Sequence, residues 1–153
     1  MPVYLDGDVV VWESLAICET IAESSPELWP AHRAARAHAR AISHEMHAGF
    51  LSLRRSCPFD LKKQLEGETI NPEAGADVYR ICRIWREARE RYGSGGPFLF
   101  GAKPNIADCM YAPVVARITS YGIPIDEAAR AYVDAIWALP AMQEWKQAAL
   151  AEP

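Results

Sequence analysis

Glu13 and Ser14 stand at the head of an apolar-periodic segment, "ESLAICETI". A carboxylate and a hydroxyl at that place suit the capture of a charged small molecule. The first amides of a helix lack intrahelical partners and carry partial positive charge, so they receive a carboxylate well. The Ser14 hydroxyl adds a donor, and the Glu13 carboxylate can accept from an ammonium group. The plainer reading is a serine N-cap. Ile17 stands where a capping box would need Glu or Gln, which favours the ligand role.

His44, Glu45 and His47 spell "HEMH". Zinc-binding HExxH places its histidines four apart on one helical face; here they are three apart, with no third ligand evident. The spacing points to solvated or supporting histidines and to no metal. The four cysteines, Cys18, Cys57, Cys82 and Cys109, form no CxxC pair. Reduced thiols in a cytoplasmic protein follow, rather than a disulfide framework.

The elements that must carry these residues read as follows. Val3 to Leu5 and Val9 to Trp12 are short strands about Asp6-Gly7, a pair that favours a type I′ hairpin turn. Leu15, Ile17, Cys18 and Ile21 give an amphipathic helix of about three turns, ended by Ser24-Ser25-Pro26. Ala35, Ala39, Ile42, Met46, Phe50, Leu53 and Cys57 recur at helical steps, so one long helix is expected from about residue 31 to 56. Residues 58 to 71 read as a loop. Asn71-Pro72-Glu73 is a helix start with a cap, a first-turn proline and an acid. That helix should pair Glu87 with Arg91, and "YGSGGP" ends it. Asn105 and Asp108 resemble a capping box ahead of "CMYAPVVARITSY", whose all-round apolarity marks a buried central helix with a kink at Pro113. Two helices, about Asp126 to Leu139 and Pro140 to Ala149, close the chain.

The chain of 153 residues has ordinary globular composition and a net charge of −4. Between residues 31 and 63, Arg33, Arg36, Arg40, Arg54, Arg55, Lys62 and Lys63 face only Glu45 and Asp60. This basic stretch is either a solvated helix face or an attractor of small anions. The arginines lack interleaved aromatics, and the total charge is negative, which argues against nucleic acid. No apolar run is long enough to span a bilayer, and no signal peptide is apparent.

The segments "PV…DG…WESLAI" and "PNIADCMYAPVV" together resemble the glutathione transferase family, and "YGIPIDEAARAYVDAIWALPAMQEW" is similar to the C-terminal helices of its bacterial members. The resemblance covers essentially the whole chain. It implies a mainly α fold: a short hairpin and helix over residues 1–27, the remnant of a thioredoxin-like α/β domain, then an all-helical C-terminal-type bundle over 28–153. It implies glutathione as co-substrate, conjugated in the full-length form to a small apolar electrophile, with no cofactor. Pro2, cis in the family, and Val3 would pair with the cysteinyl part of glutathione, and Glu13 and Ser14 would hold its γ-glutamyl end. Met46, His47, Phe50 and Tyr111 would wall the electrophile pocket, with core packing the alternative for each. Asn105 and Asp108 would be the family's structural capping motif.

Family members carry a β-α-β unit with the sulfur-activating Ser, Tyr or Cys before the proline–valine strand, and this sequence shows no counterpart. No catalytic residue is therefore assigned, and weak binding with little or no conjugation is expected of this polypeptide alone. A non-catalytic interaction module is the competing reading, because fold does not fix function. An unpaired hairpin edge also invites pairing with another chain, so a homodimer is expected.

Overall fold

The hairpin forms with β1 at Val3–Asp6 and β2 at Val9–Trp12, antiparallel, in a computed structural model that describes residues 2–65, 67 and 70–152. Asp6 pairs with Val9, so the two-residue loop is Gly7-Asp8, one step later than the Asp6-Gly7 turn expected. Gly7 has φ 61° and Asp8 does not take positive φ. That matches a type II′ turn, which places glycine first, rather than type I′.

Helix α1 (Ser14–Ser24) follows, then a single 3₁₀ turn at Pro26–Leu28. The long helix expected next is two helices, α2 (Arg33–Ala48) and α3 (Leu51–Ser56). The break has a local cause. Phe50 sits in the left-handed region at φ 59°, and Gly49 lies where an added Cβ would come within 2.7 Å of the Glu45 carbonyl. Arg54 then ties the junction, donating to the carbonyls of Met46 at 2.6 Å and Gly49 at 3.1 Å. The apolar stripe still points inward across the break, with Ala39, Ile42, Met46, Phe50, Leu53 and Cys57 all buried.

The sequence places the next helix correctly. α4 (Pro72–Tyr92) starts on Asn71, whose side chain accepts from the Ala74 amide at 2.7 Å. Glu87 pairs with Arg83 at 3.0 Å instead of with Arg91. α5 (Ile106–Ser120) is the central helix, packed against α2 and α6 (Glu127–Trp137). Its capping box is complete. Asn105 accepts from the Ala107 amide at 2.9 Å, and Asp108 returns a bond to the Asn105 amide at 2.9 Å. Asp108 also receives the Leu99 amide and the Tyr132 hydroxyl, each at 3.1 Å, so a buried carboxylate is fully engaged. Arg117, buried at the far end of α5, donates to the Cys57 and Pro113 carbonyls.

α7 (Pro140–Ala151) ends the fold. Trp85 of α4 wedges between Tyr111 and Tyr132, at ring separations of 5.7 and 4.7 Å, and locks α4, α5 and α6 together. The chain is mainly α with a two-stranded hairpin, as expected. No helix among the described residues is long and apolar enough to cross a membrane.

Candidate functional site

The head of α1 is built by Glu13, not by Ser14. Glu13 is the N-cap, with φ 81° and ψ 127°. That backbone turn lets its carboxylate fold back over the helix start. One oxygen accepts the Leu15 amide at 3.1 Å, and the other accepts the Ser14 hydroxyl at 3.0 Å. Nε2 of His47 lies 3.4 Å from the same oxygen that Ser14 holds. Partial burial pulls the Glu13 carboxyl upward, but the Ser14 hydroxyl, the nearby imidazole and the Leu15 and Ala16 amides outweigh it and hold it below the usual glutamate range. The first turn of α1 contains no other acid. A non-glycine residue at such a φ costs on the order of 1–3 kcal/mol and marks an over-determined place in a fold.

β1 runs alongside this head. Val3 pairs with Trp12, the residue before Glu13, so Pro2-Val3 and Glu13-Ser14 converge at one end of the hairpin. Hydrogen-bonded and open pairs alternate along an antiparallel ladder. Counting from the closing pair Asp6–Val9, the alternation turns the Val3 amide and carbonyl outward, to the free edge. The Met1–Pro2 bond, expected to be cis from the resemblance, lies outside the described residues.

Of the four residues expected to wall a second pocket, His47 alone reaches this site. Met46 and Phe50 are buried in the core. Tyr111 is fully buried, its hydroxyl donating to the Ile42 carbonyl at 3.1 Å, and burial pushes its ionisation far up. Periodicity alone could not separate His47 from its neighbours. It is exposed because it lies off the inward stripe in the last turn of α2, where the Gly49 break fixes it.

The basic stretch resolves mostly into structural contacts. Arg40 makes a two-pronged pair with Glu19 on α1, at 2.8 and 2.9 Å, and Lys63 reaches the Tyr121 hydroxyl. Among the described residues no three His, Cys, Asp or Glu gather as a metal cluster. Burial drives the Cys82 thiol up to about 11. A cavity of about 510 Å³ between α4 and α6, lined by Trp85, Arg86, Arg89 and Ala128 among others, shares no residue with the α1 head.

Residues 72–146 match the family model of the glutathione S-transferase C-terminal domain. That stretch of the chain is a glutathione S-transferase C-terminal domain. Solved structures of glutathione transferases superpose on nearly all of the chain. A glutathione transferase homolog from Burkholderia gl BGR1 with bound glutathione is 24% identical, over 99% of this chain and 74% of that one, with a TM-score of 0.68. Maleyl pyruvate isomerase, a bacterial glutathione S-transferase of the Zeta class, is 23% identical over 100% and 74%, with a TM-score of 0.69. Glutathione transferase Omega 3C from Trametes versicolor is 19% identical over 89% and 62%, with a TM-score of 0.60. No curated protein matches the sequence. The glutathione transferase fold thus extends to the hairpin and α1 as well as to the helical bundle.

Proposed function

We propose that this chain binds glutathione at the head of α1. The Glu13 carboxylate takes the ligand's ammonium, and the Ser14 amide and hydroxyl take the adjacent carboxylate. To do so the Ser14 hydroxyl swings from Glu13 to the ligand. The open edge at Val3 takes the peptide of the cysteinyl residue. The observation that carries the reading is Glu13 itself, held at φ 81° with its carboxylate over the helix start, at the end of the hairpin that Val3 shares. The bound glutathione in the Burkholderia homolog, on the same fold, supports it.

On this reading residues 1–27 are the hairpin-and-helix part of a thioredoxin-like domain and residues 28–153 the helical domain. The protein is a cytoplasmic homodimer. In the full reaction a thiolate attacks an apolar electrophile; we assign no residue of this chain to activating the sulfur. Glutathione binding, rather than conjugation, is the activity proposed for these residues.

Calorimetric titration with glutathione tests this. Wild type gives a saturable heat, and a Glu13→Ala/Ser14→Ala variant gives none; equal heats from the two proteins would overturn the assignment. The second reading, a non-catalytic interaction module, is favoured by the exposed hairpin residues Val3, Leu5, Val10 and Trp12. It predicts no glutathione heat from either protein.

A further inference from the structure

The contact between His47 and Glu13 joins two elements distant in sequence, the last turn of α2 and the head of α1. Neither side chain is deeply buried: His47 is 43% exposed and Glu13 36%. A ligand can therefore reach the carboxylate, and so can protons. The carboxylate oxygen nearest His47 is the one that Ser14 holds, and the other faces the Leu15 amide. An ammonium group approaching Glu13 from solvent meets the imidazole on the same oxygen.

We propose that His47 is a positioning residue that competes with the γ-glutamyl ammonium for Glu13. The proposal rests on the glutathione reading above. As an imidazolium, His47 neutralises the carboxylate and repels the incoming ammonium. As a neutral imidazole it leaves the charge of Glu13 to the ligand. Affinity for glutathione then rises as the pH is raised through the imidazole range.

The other charged groups around His47 do not supply this dependence. On its own helix, His44 bonds the Arg40 carbonyl and acts on Glu19 rather than on Glu13, and Glu45 is taken by Arg80 of α4 at 2.8 and 2.9 Å. From α3, Arg54 is turned to the backbone carbonyls of Met46 and His47. On α1, the Cys18 thiol is pushed up by partial burial and by the charges of Glu13 and Glu19, so it stays neutral. From α5, Tyr111 is buried and spoken for by Ile42. Glu13 is held below the usual range and stays ionised, and His47 is the group within ion-pair distance of it.

The test is calorimetry with S-methylglutathione, which has no free thiol to titrate, in wild type and His47→Gln between about pH 5.5 and about pH 7.5. Wild-type affinity rises about two- to fivefold over that range, the size of an exposed ion pair. His47→Gln binds with little pH dependence, and more tightly than wild type at the acid end. Carbon-detected NMR titration, a readout independent of ligand, shows the Glu13 carboxyl titrating higher in His47→Gln. Measurable binding with equal pH slopes in the two proteins overturns the competition and leaves the glutathione site standing. Weaker binding by His47→Gln at every pH also overturns it, making His47 a direct ligand contact. No binding by either protein at any pH removes the glutathione reading and this inference with it.

Discussion

Two side chains that share a sequence neighbourhood have opposite fates, and the difference is a matter of angle around a helix. Met46 faces the core and His47, the next residue, faces Glu13. Tyr111 has the chemistry of a catalytic phenol, but its hydroxyl is bonded to the Ile42 carbonyl and no part of the side chain meets solvent. Its role is to join α5 to α2. Tyr111→Phe should cost about 1 kcal/mol, since it removes a buried hydrogen bond between α5 and α2. Chemical denaturation reads that loss, and glutathione affinity should be unchanged. A fall in affinity with unaltered stability would return Tyr111 to the ligand site.

Helix ends show how local chemistry becomes structure. Asp126 caps α6, accepting the Ala129 amide at 2.9 Å and pairing through its other oxygen with Arg86. The amide, then Arg86, holds its carboxyl below the usual aspartate range. Its ionised form is thus favoured in the folded state. The stabilisation is fully present above the ordinary aspartate range and is lost as pH falls through the lower folded value. Asp126→Ala should cost about 1 kcal/mol near neutral pH, almost all of it from the cap, because an exposed ion pair adds little. The difference from wild type in thermal melts should narrow as the solution is acidified through the carboxylate range. A constant difference would mean that the charge plays no part.

The same locality explains which elements could be read in advance. Asn71, Asn105 with Asp108, and Asp126 announce their helices, because a cap needs only residues three or four positions apart. The α2–α3 break could not be read that way. It depends on Phe50 adopting a left-handed backbone and on Arg54 folding back to Met46 and Gly49, a choice made by packing over an unbroken apolar period. Glu13 misled in the same manner. Serine is the commoner cap, and only the folded backbone shows the glutamate reaching Leu15. The His47 contact, across α1 and α2, has no sequence signal at all.

At the scale of the molecule, apolar surface is unevenly distributed. Val3, Leu5, Val10 and Trp12 occupy one face of the hairpin, because the register sets Val3 opposite Trp12 and Leu5 opposite Val10. Their exposures run from 55% to 70%, while the helices enclose Trp85, Tyr132 and Ile136 completely or nearly so. An isolated two-stranded hairpin is marginal in water, and an apolar face beside an open strand edge is a template for association. A second copy related by a two-fold axis would cover both faces with the same residues. Sedimentation should therefore show a dimer for wild type and a monomer for Leu5→Lys/Trp12→Lys. The helical circular dichroism of the variant should be unchanged, because neither residue belongs to the buried core. A wild-type monomer would rule out the self-interface. A dimer that survives both lysines would move the contact from the hairpin to the helices, where Tyr79 of α4 stands 68% exposed.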